Sequence, residues 1–212
     1  MAQVWQIDFQ SDPGGMYHSV APVTCKHDLG DGGCWNPFQV AASRTVEHVH
    51  VDPVVGDLAD SRGDATGVAL AILGRVRAYN DPLVRVGGAD SLNAALGDHI
   101  TFGHHAASDA LEFVFTHLPP GTYRLEVYAN PTEHRPPRGF RVIVGARSAD
   151  VAPTFAGAET MVLHDRGTRV ATPEDACGAL EGIAVDDTGT LRGRFEKIGG
   201  DPSIAAIRLS RR

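Results

Sequence analysis

The sequence predicts an all-β protein, an antiparallel two-sheet β-sandwich with very little helix. Three observations lead there. Segments of about four to ten residues repeatedly alternate apolar and polar side chains, the pattern of strands half-buried against a core. The chain has 24 glycines and 13 prolines in 212 residues, and such frequent turn punctuation favours many short strands over long helices. Hydrophobic residues make up 42% of the chain, enough to fill a real core. About nine or ten strands are expected, packed as two sheets.

The clearest segment is Leu111 to Asn130, LEFVFTHLPPGTYRLEVYAN. Leu111, Phe113 and Phe115 alternate with Glu112, Val114 and Thr116. Tyr123, Leu125, Val127 and Ala129 then alternate with Arg124, Glu126 and Tyr128. Between them Pro119-Pro120-Gly121 suits a type II turn. Proline pre-sets φ at the first central position and glycine accepts the positive φ at the second. The segment therefore reads as a hairpin.

The other elements follow in chain order. Gln3 to Phe9 alternates, with Trp5, Ile7 and Phe9 on one face and Val4, Gln6 and Asp8 on the other. Residues Ser11 to Pro37 are rich in glycine and aspartate and read as a long loop, the kind of segment that often carries function. Val46 to Val55 and Gly67 to Val76 read as strands around a polar turn at Asp60 to Gly67. Ser91 to Leu96 suits one helical turn, capped by Ser91 and ended by Gly97. Asp98 to Phe102 leads into the hairpin. Gly139 to Val144, Thr160 to Leu163, Thr168 to Ala171, Thr188 to Phe195 and Ile204 to Leu209 complete the strands. First and last strands of similar apolar strength suggest that the termini pair within a single domain spanning 1–212.

The formal net charge is −7, and the basic residues are dispersed apart from Arg211-Arg212. That argues against a nucleic-acid partner, which needs a clustered basic face. No apolar run reaches the length of a membrane span, so no membrane insertion is expected. The start, MAQVWQIDFQ, reads as a strand and shows no signal-peptide pattern. Cys25 and Cys34 bracket a glycine-rich loop and would close it as a disulfide in an oxidising compartment. In a reducing one, they and Cys177 would be free thiols.

Several short pieces fall in an order that resembles the galactose-binding-like β-sandwiches, the jelly rolls found as carbohydrate-binding and malectin-like modules. They are Ile7-Asp8-Phe9, Trp35-Asn36, Leu58 to Val68 (LADSRGDATGV), Leu96 to Ile100 (LGDHI), Leu118 to Tyr123 (LPPGTY) and Ile204 to Leu209. The resemblance implies a jelly-roll sandwich, an extracellular, cell-surface or virion setting, and a carbohydrate or glycoconjugate partner. The fold hosts lectins and scaffolds alike. A structural or assembly protein, with self-assembly or a protein partner, is therefore the alternative.

Carbohydrate binding needs an aromatic platform with planar polar groups beside it. Trp35 with Asn36 offers this in a polar loop, and Tyr17, Tyr79, Arg62 and His104 are further loop-located contributors. The other reading of Trp35 is a lid folded onto the sandwich. His48, His50 and Asp52 alternate in HVHVD, so one continuous strand would turn all three to one face, either as a metal site or as its polar side. Cys25, His27 and Cys34 could supply ligands too, without metal-motif spacing. Asp28 with Asp31, and Asp60 with Asp64, offer oxygens that suit calcium or remain solvated turn residues. No cofactor is required, and a structural calcium is the one the resemblance favours. No G-x-S-x-G elbow occurs, and a hydrolase is the most distant reading.

Overall fold

The computed structural model describes residues 3–10, 34–39, 44–46, 49–80, 98–103, 107–129, 139–151, 177–200 and 202–212. They form two β-sheets and no helix, so none of them crosses a membrane as a long apolar helix.

The larger sheet has nine strands. They are β1 (Val4–Gln10), β2 (Trp35–Gln39), β3 (Arg44–Val46), β4 (Val49–Val51), β7 (Arg75–Asn80), β8 (Asp98–Thr101), β10 (Gly121–Ala129), β13 (Cys177–Val185) and β15 (Ser203–Arg211). Its order is β13-β10-β15-β8-β7-β4-β3, with β1 joined to β15 and β2 to β1. The smaller sheet holds β5 (Val54–Ala59), β6 (Ala65–Leu73), β9 (Ala110–Thr116), β11 (Phe140–Val144), β12 (Arg147–Val151) and β14 (Leu191–Lys197), in the order β12-β11-β14-β9-β6-β5. The expected two-sheet sandwich is what forms. First and last strands pair antiparallel, Ile7 opposite Ile207 and Trp5 opposite Leu209.

The expected hairpin is corrected. β9 pairs with β6 and β14, whereas β10 pairs with β13 and β15, so the two arms lie in different sheets. Residues 117–120 arch across the edge of the sandwich. The positive φ falls on His117 (φ 61) and not on the glycine of a type II turn. Three hydrogen bonds hold the arch, one of them from Arg211 Nη2 to the Pro120 carbonyl at 2.6 Å. The Leu118 N–H donates to the Gly189 carbonyl at 2.9 Å, and the Tyr123 hydroxyl donates to the Pro119 carbonyl. The arch lets Phe113 and Phe115 meet Tyr123 and Leu125 through the core instead of beside it.

Strand boundaries differ from expectation where φ turns positive. The run Val46 to Val55 breaks at Asp52 (φ 48), giving β4 and β5, and Gly67 to Val76 breaks at Gly74 (φ 130) between β6 and β7. β2 begins inside the stretch expected to be loop and runs two residues past it, and β12 and β13 were not anticipated. The expected elements at 91–96, 160–163 and 168–171 lie outside the described residues.

Aromatic side chains lock strands of the smaller sheet to one another, and Phe102, just past β8, meets Phe140 across the core with ring centroids 6.0 Å apart. Phe113 stacks on Phe195 with ring centroids 4.7 Å apart, and Phe140 meets Phe195 edge-on at 5.7 Å. Gly193 is the flat spot that lets Phe113 lie down. It sits opposite Phe113 in the β14–β9 register, and a Cβ there would run into the Phe113 ring and come within 2.7 Å of the Ile143 carbonyl. Neither neighbour can yield cheaply in a packed core. Gly193→Ala is therefore expected to cost about 2 kcal/mol, read in a thermal melt as a Tm lower by roughly 4–8 °C. An unchanged Tm would show that Phe113 has room to move.

Candidate functional site

The outward face of the nine-stranded sheet carries a polar and aromatic cluster assembled from five adjacent strands. Register alone places its members. Gln6 on β1 lies opposite Arg208 on β15, Arg208 opposite Glu126 on β10, and Glu126 opposite Ala179 on β13. One row over, Asp8, Ala206, Tyr128 and Cys177 line up in the same way. Trp35 on β2 pairs with Gln6 in the parallel register and so shares this face. Alternation explains the selection: the inward partners on these strands, Ile7, Ile207, Val127 and Leu125, fill the core.

A chain of ion pairs runs across the face. Arg124 Nη2 lies 2.7 Å from Glu126 Oε1, and Arg124 Nη1 lies 2.9 Å from Glu181 Oε1. Arg212 Nη2 closes on Glu181 Oε2 at 2.8 Å, and Arg208 Nε stands 3.9 Å from Glu126 Oε2. The side chains of Arg124 and Arg208 are 36% and 32% exposed and that of Glu126 is 13% exposed. On the neighbouring strand of the same face Gln6 and Asp8 are buried. Trp35, Tyr128, Ala205 and Ala206 form a small apolar cluster of their own, with Cys177 packed against it. Among the described residues, Trp35 Nε1, Gln6 Oε1 and Arg124 Nε have no hydrogen-bond partner.

Burial sets the chemistry of the two titratable groups at the cluster's edge. It is the main reason the Tyr128 hydroxyl is pushed far above its ordinary value, with the neighbouring Cys177 and Glu126 adding to it. Burial likewise pushes the Cys177 thiol up to about 11, and the Glu126 charge pushes the same way. A thiol must ionise to react. Cys177 is thus expected to alkylate slowly at pH 7 in the folded protein, with a rate that climbs only as pH approaches the raised value. Following iodoacetamide adducts by mass spectrometry from pH 7 to 11 tests this; fast labelling at pH 7 would contradict it.

The residues expected from sequence have separate fates. Trp35 is 1% exposed, so the expected platform is corrected: its ring is buried against Tyr128, Ala205 and Ala206 on the outward side of the sheet. Asn36, next along the strand, points the other way. Its Nδ2 donates to the Gln6 and Ala59 carbonyls at 2.9 and 2.8 Å, and its Oδ1 accepts the Ala59 N–H at 2.7 Å. It is a clamp between β1, β2 and β5, with no group left for a sugar.

Arg62 is exposed but held. Its Nη2 lies 2.6 Å from Asp60 Oδ2 and 3.3 Å from Asp64 Oδ2. At Asp60 and Asp64, where calcium is expected, the Arg62 guanidinium lies against both carboxylates. His50 is buried in β4, and the strand ends at Val51. Asp52 turns off with φ 48, and its Oδ1 accepts the Gly74 N–H at 2.6 Å. The single strand face expected to present His48, His50 and Asp52 therefore does not extend to Asp52. Among the described residues no group of three metal-ligating side chains forms.

Tyr79 lies in β7 opposite His99. Cys34 is disulfide-bonded and Cys177 is free. Tyr17, Cys25, His27, Asp28, Asp31, His48 and His104 lie outside the described residues. The cluster members that sequence reasoning passed over were visible only as the polar phase of β1, β10 and β15. Nothing in one strand says which outward residues of another will stand beside them.

No family model matches the chain, and no curated protein matches it. Among solved structures, TmCBM61 in complex with β-1,4-galactotriose is similar at 17% identity and a TM-score of 0.35, over 68% of this chain and 88% of that one. The GH115 4-O-methyl-α-glucuronidase BtGH115A, with specificity for decorated arabinogalactans, is similar at 15% identity and a TM-score of 0.33, over 53% of this chain. The chain spans 14% of the length of that glucuronidase.

Proposed function

We propose that this protein is a non-catalytic carbohydrate-binding, lectin-like module, and that its contact surface is the outward face of the nine-stranded sheet. One observation carries the reading. Arg124, Glu126 and Arg208, planar side chains rich in donors and acceptors and partly exposed, stand together on the sheet face that also carries the Trp35–Tyr128 cluster. Sugars are held by such groups, since each hydroxyl both donates and accepts. The disulfide at Cys34 suits an oxidising, extracellular setting.

A glycan array probed with wild type and Arg208→Ala tests the proposal. The expected result is binding to a restricted set of glycans that weakens at least about tenfold in the variant, the loss of roughly one charge-assisted hydrogen-bond set. Wild type that binds no glycan and scatters light as a symmetric assembly would replace this reading with the structural one.

A further inference from the structure

The outward face of the six-stranded sheet is low and largely apolar over β5, β6 and β9. Val54 lies opposite Ala71, Ala71 opposite Val114, and Ala69 opposite Thr116. Their strand neighbours Val55, Leu70, Phe113 and Phe115 pack into the core, so alternation turns this set outward. Val114 is nearly buried, but Val54 is 60% exposed, and Ala69, Ala71 and Leu73 are partly exposed. Contiguous apolar surface of this kind is what association sites use.

Charge says what covers it. Glu112 on β9 lies opposite Arg194 on β14, and Val114 lies opposite Arg192, so Glu112 and Arg192 are diagonal neighbours beside the apolar floor. Both are exposed, and among the described residues neither takes part in an ion pair. Nearby charges are already matched within the chain. Arg194 Nε lies 2.8 Å from Glu196 Oε1, and Arg141 Nε lies 2.6 Å from Asp150 Oδ1. One unpaired acid and one unpaired base beside an apolar floor complement a copy of the same surface, because a two-fold contact makes each pairing twice.

A single axis satisfies the whole face. Strands stand about 4.8 Å apart and residues about 3.3 Å apart along each strand. On that grid, a two-fold axis in the contact plane that exchanges Glu112 with Arg192 runs over β6 between Ala71 and Ala69. It sets Val54 over Ala69 of the second copy. Arg194 falls near the axis, where its own Glu196 neutralises it. We infer that a second copy of this chain docks here, face to face through the two six-stranded sheets. Four strands of about seven residues cover roughly 450 Å² per copy, the low end for a specific interface, so the dimer dissociates in the range of about 1–100 µM. The two nine-stranded faces then look in opposite directions. A dimer would bridge two glycan surfaces, a consequence that rests on the binding reading above, whereas the dimer itself does not.

Sedimentation velocity of the full chain from about 1 to about 500 µM tests this. The wild type is expected to pass from monomer to dimer over that range. Glu112→Arg and Arg192→Glu should each weaken the dimer at least about tenfold, because each sets like charges against one another. The double exchange should restore it to within about threefold of wild type. Val54→Asp, at a site exposed in the monomer, should weaken it too. Thermal melts report separately on folding, and Glu112→Gln with Arg192→Gln repeats the test where a reversed charge lowers the Tm. A wild type that stays monomeric overturns the inference. So does a dimer indifferent to the single exchanges, or one that the double exchange fails to restore. Glycan binding by the monomer leaves the lectin reading standing in each of those cases.

Discussion

Trp35→Ala is expected to lower the stability of the protein by about 3–5 kcal/mol, the usual cost of emptying a buried aromatic site. The indole is essentially inaccessible and packs with Tyr128, Ala205 and Ala206 on the outward side of the nine-stranded sheet. Ala205 and Ala206 belong to β15, pinned between β10 and β1, so little can move in to refill the space. The loss should appear as a Tm lower by roughly 6–20 °C. The comparison with Arg208→Ala is diagnostic. Trp35→Ala should weaken folding first and any glycan binding only in step with it, whereas Arg208→Ala should weaken binding at nearly constant Tm. A Trp35→Ala protein of unchanged Tm that has lost all glycan binding would restore the exposed platform.

Asp60→Ala is expected to cost about 2–4 kcal/mol at neutral pH, because a buried acceptor for several donors disappears. Asp60 Oδ1 accepts the N–H of Arg62 at 2.9 Å and of Asp64 at 3.3 Å, and Oδ2 accepts Arg62 Nε at 3.0 Å and Nη2 at 2.6 Å. The turn these bonds shape also joins separate parts of the chain. The Ser61 N–H donates to the Val4 carbonyl at 2.7 Å, and the Cys34 N–H donates to the Ser61 carbonyl at 2.9 Å.

Burial by itself would raise the Asp60 carboxyl, but the hydrogen bonds from Arg62 and Asp64 outweigh it and hold the group below its ordinary value of 3.8. A carboxyl lowered on folding stabilises the folded state above the unfolded value and loses that contribution as pH falls through the folded one. The gap between wild type and Asp60→Ala should therefore be full at pH 7 and begin to shrink as pH falls below about 4. Urea denaturation at pH 7, 4 and 3 measures it. A gap that widens on acidification would rule out the ionised carboxylate as the source.

The sandwich was legible in the sequence because burying one face of a strand imposes a period of two, whatever the strand pairs with. Trp5, Ile7 and Phe9, Tyr123, Leu125 and Val127, and Ile207 with Leu209 all lie in the core that this period implies. The same locality limits it. Alternation is identical in a hairpin and in an arch, so the placing of β9 and β10 in different sheets rests on partners far along the chain. β2 was hidden because Pro37 and the glycines before it read as loop, yet a strand paired on one edge tolerates proline. Gln6 and Asp8 fall in the polar phase of β1, yet both are buried.

The candidate site was less legible still. Arg124, Glu126, Arg208 and Gln6 come from three strands spread over the whole length of the chain, and only their registers make them neighbours. Sequence by itself determined which faces are apolar, because that is a property of each strand. Tertiary structure decided which polar residues share a face, and that Trp35 is buried there against Tyr128 and Ala206, because those depend on pairings between strands that are distant in sequence.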